Sequence, residues 1–486
     1  MTSASDSQPA PEAPPTGAAE RSWPADGPGV AQVGRRVGRV TINAPGPSTA
    51  QMFRDLLRAR SAPADYLVQT QQRYGDIVQF PVPTMPVYLI SHPRDVDQVL
   101  RINARGYGKR TIQYRNLALV TGDGLLAVDT PGWRRQRRLV QPAFHHEAIA
   151  RVGTDTALVT DRMIERWRCL PDGAVIDADA EMMHAGLEIV CRSLFGTDLA
   201  GDVEATAQAT LDALDVVVAR ARTPIAPPAW VPSPLNRTMA RALRQLDGAV
   251  GRILRERSGE PGIDRQPDML DLLIAARDEE GDAPFTEEEL RDQIVTFLVA
   301  GHETVASSLT WTWWLLAAHP AVRAQAHAEV AAALGGAIPE VADLPRLPYL
   351  RAVVDEALRL HPPGWVISRR ADAADTVGGV AIPEGSVLII SPWTTHRHPA
   401  AWADAERFDP DRFLPGAPPP VRGGYLPFGS GPRLCIGKDF ALWESVLLIA
   451  RVLQAFDVEP AGPPPRTRAL VMARPDGGLP IRLVRR

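Results

Sequence analysis

The 486-residue chain carries 53 basic and 57 acidic residues, which gives a formal net charge of −4 at pH 7. This charge gives no reason to expect nucleic acid or an anionic membrane surface as a partner. A hydrophobic fraction of 45% with 23% charged residues is ordinary for a globular protein with a large core.

The N-terminal residues 1–47 are rich in proline, alanine, glycine and serine and contain few large apolar side chains. This composition predicts an extension that is disordered or loosely attached, followed by one domain over residues 48–486. No basic region followed by an apolar run occurs, so we expect neither a signal peptide nor a membrane anchor. The three cysteines, Cys169, Cys191 and Cys435, lack C-x-x-C spacing, which fits a reducing cytoplasm.

The first half of the domain alternates short elements and then becomes helical. Helices are predicted over residues 52–60, 66–73 and 93–102, and a strand pair over 77–80 and 87–90. A basic helix begins at Pro131, and amphipathic helical patterns fill most of 145–335. Proline residues over 224–234 predict one break in this helical region.

The second half opens on Thr286 and Glu289, which form a capping box ahead of a long apolar helix. Helical patterns continue to residue 360, where the sequence His361-Pro-Pro ends them. A strand over 386–390, a proline-rich coil up to Pro420, a glycine-rich loop, one more helix and short strands follow. The sequence therefore predicts a mainly α protein with small β-sheets.

The long apolar helix contains the run Ala300-Gly301-His302-Glu303-Thr304 near its middle. Glycine and a carboxylate are both costly there, and a packing glycine or a satisfied buried acid would explain them equally well. Thr304 can alternatively bond back to the carbonyl of Ala300 and open a groove for a small ligand. An acid beside that hydroxyl could relay protons into a dry pocket.

The glycine-rich loop holds Cys435 among Gly429, Gly431 and Gly437 and leads into an apolar helix over 440–450. The glycines allow positive φ and a close approach to a flat ligand. A cysteine near a helix N-terminus is favoured as thiolate, and a shielded thiolate is what an axial haem ligand requires. On its own, a lone buried cysteine is more often a small apolar side chain.

Two further patterns are weak when taken singly. Glu356 and Arg359 share a helix face, as many pairs on solvated helices do, and the run Phe408-Asp-Pro-Asp-Arg412-Phe lies downstream. Trp133 and Arg137 lie one helical turn apart, and a solvated basic helix would explain them.

The paired histidines lack metal-ligand spacing. We interpret them as surface or loop side chains: His145 and His146, and His396 and His398. Cys169 and Cys191 are interpreted as buried structural thiols.

Taken together, these motifs resemble those of the cytochrome P-450 superfamily in the family's order. The spacing Phe428-x-x-Gly-x-Arg433-x-Cys435-x-Gly437 resembles the haem-binding signature at every defined position. The run 300–304 resembles the oxygen-activating motif of the central helix. The patterns at 356–359, 408–413 and 133–137 resemble the Glu-x-x-Arg motif, its Phe-x-Pro-x-Arg-Phe partner and the propionate-binding helix. The resemblance covers residues 48–486.

The resemblance implies the triangular-prism fold of that family, in a single mostly α domain, with haem b bound through the thiolate of Cys435. It implies proton routing by Glu303 and Thr304, and a structural network that holds the cysteine loop: Glu356, Arg359 and Arg412. The implied haem contacts are Ala300, Phe428 and Gly437, and the implied propionate partners are Trp133, Arg137, Arg369 and Arg433. Arg370 adjoins Arg369, so the propionate partner could be either.

The activity implied is that of a soluble, bacterial-type monooxygenase that uses O₂ to oxidise a lipophilic small molecule, such as a terpenoid or another secondary metabolite. The chain length leaves no room for a fused reductase, so electrons are expected from a ferredoxin or flavodoxin with its NAD(P)H reductase. A solvent-facing basic patch could dock this acidic donor, although a merely solvated face would also explain it: Arg134, Arg135, Arg138 and Lys438.

Two alternatives are a peroxide-driven fatty-acid hydroxylase and a non-catalytic haem-binding sensor or carrier. Peroxide-driven relatives lack the acid–threonine pair found here, and a sensor has no need of Glu303 and Thr304. The resemblance also implies a mostly apolar substrate pocket: 105–126, Phe297, Ala300, Val305, 365–367, Val471 and Met472.

Overall fold

The computed structural model describes residues 33–58, 62–197, 203–222, 228, 230–258, 268–276 and 284–486. Most of these residues are helical, as predicted. In chain order the α-helices are α1 (Thr49–Arg58), α2 (Pro63–Tyr74), α3 (Pro93–Asp97), α4 (Ile112–Thr121), α5 (Gly132–Val140), α6 (His146–Ile149), α7 (Arg151–Arg168), α8 (Ala178–Phe195), α9 (Val203–Arg222), α10 (Pro234–Ser258), α11 (Met269–Ala275), α12 (Glu287–Ala318), α13 (Pro320–Leu334), α14 (Pro348–Leu360), α15 (Pro392–Thr395) and α16 (Lys438–Ala455).

The strands form small sheets at the edges of this helical body. They are β1 (Arg36–Val37), β2 (Val40–Thr41), β3 (Ile77–Phe80), β4 (Val87–Ile90), β5 (Tyr107–Gly108), β6 (Val175–Asp177), β7 (Ile367–Ala371), β8 (Asp375–Val377), β9 (Val380–Ile382), β10 (Val387–Ile390), β11 (Phe456–Pro460), β12 (Thr467–Ala469), β13 (Ala473–Pro475) and β14 (Pro480–Arg485). The largest sheet has the order β3-β4-β10-β7-β5, and only its β10–β4 pair is parallel.

Helix α12 lies at the centre of the main hydrophobic core and is buried along most of its length. It begins at the predicted capping box: the Thr286 hydroxyl accepts from the Glu289 amide at 3.1 Å, and the Glu289 carboxylate accepts from the Thr286 amide at 2.9 Å. A helix that is apolar on all sides must be surrounded by other elements. Helices α8, α14 and α16 pack around it, so its middle turns lie deep in the protein.

The helix predicted over 93–102 is two elements. Helix α3 ends at Asp97, and a π-helical turn follows over Gln98–Ile102. A π-helical turn replaces the i→i+4 hydrogen bonds by i→i+5 bonds and is rare, and the apolar pattern over 93–102 predicts one helix without distinguishing the two kinds of turn. The predicted break at 224–234 partly falls on residues 223–227 and 229, which lie outside the described residues.

The N-terminal boundary predicted at residue 48 is too late. Residues 33–47 carry the β1–β2 hairpin, with Ile42 and Ala44 fully buried. The Asn43 side chain accepts from the Tyr88 hydroxyl at 2.8 Å and donates to the Ala381 carbonyl at 2.7 Å. A proline- and alanine-rich composition is therefore compatible with docking onto a sheet. Residues 1–32 lie outside the described part of the chain.

None of the helices within the described ranges is long and apolar enough to cross a bilayer.

Candidate active site

A cavity of about 320 Å³ lies between α12 and the loop that carries Cys435. One wall consists of α12 residues, including Phe297, Ala300 and Thr304, and the opposite wall includes Phe428 and Cys435. Among the residues that the structure describes, four basic side chains and no carboxylate line the cavity. This strongly one-signed lining is the main electrostatic property of the site.

On the α12 wall, Thr304 makes the bond to the Ala300 carbonyl that its spacing allows. The Thr304 hydroxyl donates to the Ala300 carbonyl at 2.8 Å, and both residues face the cavity with Gly301. A Cβ at Gly301 would lie 3.1 Å from the Val190 side chain of α8, so glycine lets the two helices approach closely. The groove therefore has a hydroxyl at its rim and a tightly packed helix behind it.

Glu303 is buried, with 4% of its surface exposed, but it does not line the cavity. Its Oε2 has no hydrogen-bond partner among the described residues. Burial raises the pKa of this carboxyl to about 7, and the positive charge of Arg474 opposes the shift. An acid in this state can hold or release a proton near neutral pH, although it faces away from the pocket that Thr304 faces.

The cysteine loop requires glycine at two positions of positive φ, Gly429 (75°) and Gly431 (69°). A Cβ at Gly431 would lie 2.0 Å from the carbonyl oxygen of Leu100, so no other residue fits there. The Cys435 amide closes the loop by donating to the Phe428 carbonyl at 3.0 Å. The loop thus packs on the π-helical turn and presents Cys435 to the cavity.

The Cys435 side chain is accessible from the cavity, yet the residue lies deep in the protein. Burial raises the pKa of its thiol, while the Gly437 amide and the charges of Arg137 and Lys109 favour the thiolate. The backbone amide therefore acts in the predicted direction, and burial of the thiol acts against it. A coordinating metal ion deprotonates such a thiol outright.

The four cations that line the cavity are Lys109, Arg137, Arg369 and Arg433. The Arg433 guanidinium lies 4.0 Å from the ring centre of Trp133 and donates to the Val128 carbonyl at 3.0 Å. Burial lowers its pKa to about 10, with a further contribution from Arg369. Buried like charges repel unless an anion lies between them.

The remaining cations are held by neutral groups. Arg137 donates to the Leu434 carbonyl at 3.1 Å, Arg369 donates to the Tyr114 hydroxyl at 3.2 Å, and Lys109 donates to the Leu126 carbonyl at 2.7 Å. Burial lowers the pKa of Lys109 well below its usual range. A flat ligand that carries two carboxylates and takes one thiolate ligand fits this donor set.

The strand geometry distinguishes Arg369 from Arg370 as the arginine that lines the cavity. Successive residues of a strand point to opposite faces. On β7, Arg369 faces the cavity and Arg370 does not.

Behind the cysteine wall, Glu356 and Arg359 form a bidentate ion pair at 2.6 and 2.7 Å with both side chains fully buried. Arg359 also donates to the carbonyls of Ala405 and Arg407 at 2.7 and 3.1 Å. Arg412 lies 3.5 Å from Glu356 and is 18% exposed. The three predicted residues are thus together, with Arg359 as the buried centre and Arg412 at the edge.

His396 completes the link to the cysteine loop. Its Nδ1 lies 3.0 Å from the Arg359 carbonyl, and its Nε2 accepts from the Leu426 amide at 2.7 Å. Burial lowers its pKa to about 3. His398 is also buried and bonds Asp76 at 2.9 Å. Both histidines lie in the loop after α15, as one of the two predicted alternatives has it, but they are buried and not at the surface.

Three other predictions need correction. Cys169 is exposed, whereas Cys191 is buried as predicted. Arg135 does not simply face solvent, since it pairs with Glu289 at 2.6 Å. Within the predicted pocket segments, Trp365 and Val471 do not line the cavity.

Sequence reasoning placed Lys109 within the pocket segment 105–126 but did not assign it as a cation of the site, and it did not assign the contacts of His396. Neither belongs to a recognised motif, and the contacts of His396 connect residues 30 and 37 positions apart. For His396 the sequence offers only an indirect indication, because the proline-flanked histidines come after the helix that carries Glu356 and Arg359.

Comparison with known proteins agrees with this geometry. The family model for cytochrome P450 matches residues 44–480. Cyclooctatin synthase from Streptomyces melanosporofaciens is 38% identical over 83% of this chain and 87% of its own length. Pentalenene oxygenase from Streptomyces avermitilis is 34% identical over 81% of this chain and 86% of its own. Cyclooctat-9-en-7-ol 5-monooxygenase from S. melanosporofaciens is 36% identical over 80% and 83%, respectively.

The match spans both walls of the cavity and the network behind the cysteine loop. The chain belongs to the cytochrome P450 family and is a monooxygenase of that family.

Proposed function

We propose that this enzyme binds haem b through Cys435 and hydroxylates, or otherwise oxidises, a neutral terpenoid. The observation that carries the proposal is one cavity that combines an accessible cysteine, four cations and no carboxylate. Haem has a flat apolar ring, two carboxylates and an open axial position, which matches this combination. When bound, the haem supplies the centre at which O₂ is activated.

The chain's own residues hold the two ends of that group. Arg137, Arg369, Arg433 and Lys109 surround the end of the cavity that would take the propionates, and Trp133 packs under Arg433. Phe428, Gly437 and Ala300 line the cavity where the ring would lie. Charged hydrogen bonds to carboxylates are roughly twice as strong as neutral ones.

Protons would reach the pocket through α12. Thr304 presents its hydroxyl at the groove, and Glu303 is a buried acid whose pKa of about 7 allows both protonation states. Glu303 cannot contact the pocket directly, so Thr304 and water in the groove are its route inward. In this role Glu303 supplies protons and Thr304 passes them on.

The substrate side of the cavity is apolar and uncharged. Leu125, Leu126, Phe297, Val366 and Met472 line it, while the four cations cluster near the cysteine. A carboxylate or phosphate on the substrate would therefore have no partner there. The relatives include a pentalenene oxygenase and a cyclooctat-9-en-7-ol 5-monooxygenase, which supports a terpenoid for this chain as well.

Electrons are proposed to come from a ferredoxin or flavodoxin with its NAD(P)H reductase. Arg134 and Arg138 are exposed on α5, the helix that also supplies Arg137 to the cavity. A basic surface close to the cofactor suits an acidic donor. The cytoplasm, where NAD(P)H is available, is the proposed location.

The first experiment is the CO-difference spectrum of the reduced protein, followed by turnover of terpenoids with surrogate redox partners and NADH. A strongly red-shifted Soret band supports thiolate ligation, and oxygenated terpenoid product supports the activity. The short-wavelength band of thiol or histidine ligation would overturn the assignment of Cys435. A normal band with fatty-acid oxidation driven by peroxide alone would favour a hydroxylase of that kind instead.

A further inference from the structure

A polar surface runs along the side of α12 that faces away from the cavity. Glu303, Ser307, Thr310 and Trp311 are spaced i, i+4, i+7 and i+8, so they share one helix face. None of them lines the cavity. This face packs against β13 and the start of α8 and contains the proposed proton donor.

Strand β13 is fixed to this face at Ala473. The Ser307 hydroxyl donates to the Ala473 carbonyl at 2.7 Å, and the Trp311 indole donates to the same oxygen at 3.0 Å. Ser307 lies one turn after Glu303. The next strand residue, Arg474, is therefore held beside the part of α12 that carries Glu303.

Arg474 is a mostly buried cation, with 17% of its side chain exposed. Its Nη2 and Nε donate to Asp179 of α8 at 2.6 and 3.4 Å, and the Thr310 hydroxyl donates to Asp179 at 3.4 Å. These contacts use one edge of the guanidinium. The carboxyl of Glu303, whose Oε2 has no partner among the described residues, lies on the same helix face.

The electrostatic surroundings of Glu303 consist of a few identifiable charges. Arg474 favours its carboxylate, whereas Asp179 and Asp215 of α9 disfavour it. Asp215 is 52% exposed and pairs with Arg468 of β12 at 3.5 Å. On α12 itself the neighbouring ring is His302, whose pKa burial lowers to about 4, so it is neutral near pH 7.

We propose that Arg474 is a positioning residue for Glu303, and that the Arg474–Asp179 pair behind α12 sets the charge of this carboxyl. The inference rests on the proposed function and assigns to that reaction two residues outside its recognised motifs. The proton that Glu303 holds for Thr304 would then depend on two side chains that do not line the substrate pocket.

The test uses two substitutions that should act in opposite directions. Arg474→Gln removes the favourable cation and leaves Asp179 unpaired, so the protonation midpoint of Glu303 should rise by about one pH unit. Asp179→Asn leaves Arg474 in place without its anion, so the midpoint should fall, by less than it rises in Arg474→Gln. General loss of stability would not shift the midpoint in opposite directions.

The readout is the infrared band of the protonated Glu303 carboxyl in the haem-loaded protein, titrated against pH and assigned by its loss in Glu303→Gln. The product formed per NADH consumed is measured over the same pH range. Arg474→Lys keeps the cation and should stay near the wild-type midpoint. Arg451→Gln is the matched control, since Arg451 is about as buried as Arg474 and its partner Asp161 is not among the charges that act on Glu303.

Unchanged midpoints, or shifts of the same sign in Arg474→Gln and Asp179→Asn, would overturn the inference. Failure of the proposed function has a separate signature. If the wild-type protein lacked the thiolate-type CO band, the function would be wrong, whereas opposite shifts of the Glu303 band would still support the role of Arg474.

Discussion

Buried polar groups behind the two walls of the cavity differ in how completely they are hydrogen-bonded. Behind the cysteine wall, Arg359 donates to Glu356 and to backbone carbonyls, and His396 uses both ring nitrogens. On and behind the α12 wall, buried atoms of Thr296, His302 and Glu303 have no hydrogen-bond partner among the described residues. Glu356, Arg359 and His396 thus have hydrogen-bond partners, although behind the same wall Nε of Arg412 and both carboxylate oxygens of Glu444 on α16 have none among the described residues. The contrast therefore lies between the Glu356–Arg359–His396 network and these α12 groups.

This difference suggests that the network behind Cys435 is structural, whereas the α12 groups take part in the reaction. A buried polar group without a partner costs about 1–3 kcal/mol, so the α12 wall is less stable than an apolar equivalent would be. Such groups need a functional explanation, and here they adjoin the groove of Thr304. The Glu356–Arg359–His396 network instead holds the loop that positions the sulfur of Cys435.

The largest expected effect comes from removing that atom. Cys435→Ser should abolish the thiolate-type CO band completely, because a hydroxyl does not replace a thiolate as the axial ligand. The reduced protein's CO-difference spectrum measures this. Cys169→Ser, at an exposed cysteine, is the control and should keep the band. A normal band in Cys435→Ser would show that the sulfur is not the ligand.

The free energy of unfolding should be sensitive to the loss of a single partner in the Glu356–Arg359 network. Arg359→Leu leaves the fully buried Glu356 without its counter-ion, so unfolding in urea should show a loss of about 3–5 kcal/mol. Arg412→Leu removes a longer, partly exposed contact and should cost about 1 kcal/mol or less. Equal losses for the two variants would mean that Arg359 is not the centre of the network.

On α12, a substitution at the groove should reduce coupled turnover more than it reduces stability. Thr304→Ala removes the groove hydroxyl, so product per NAD(P)H should fall about tenfold, or about 1.4 kcal/mol, with peroxide released instead. Thr312→Ala removes an equivalent bond to Ser308 at 2.7 Å, on a residue that does not line the cavity. This control should stay coupled. Uncoupling in both variants would point to helix distortion rather than to the hydroxyl.

The smallest effect concerns acid stability. The pKa of His396 falls from 6.5 to about 3 on folding, so the unfolded chain binds a proton that the folded chain excludes. The stability is complete above pH 6.5 and declines as the pH falls towards 3. Between pH 7 and 6 this should cost about 0.7 kcal/mol. Urea unfolding of His396→Gln should show a shallower pH slope, and an unchanged slope would contradict this role.

The sequence predicted local geometry well and long-range contacts poorly. The bond from Thr304 to Ala300, the capping box at Thr286 and the Glu356–Arg359 pair each follow from a spacing of three or four residues. Such spacings fix which side chains meet on a helix.

Contacts between distant segments have no such signal. Lys109, His396 and Arg474 reach their partners only after several elements have packed together. That adjacent helical residues point about 100° apart does not by itself decide the direction of Glu303. Of the two neighbours of Thr304 on α12, Val305 lines the cavity and Glu303 does not. The raised pKa of Cys435 depends on burial by the whole fold, which no spacing reveals.

In the β12–β13 hairpin, adjacent residues serve two different roles, one in lining the cavity and one in anchoring the strand behind α12. Met472 lines the cavity, Ala473 is bonded to α12, and Arg474 pairs with Asp179. A substitution at Met472 can therefore change the shape of the pocket while the neighbouring backbone anchor stays in place. An insertion or deletion in this turn would shift the anchor and the arginine together. Evolution of substrate range at this hairpin is thus restricted to exchanges of side chains at constant loop length.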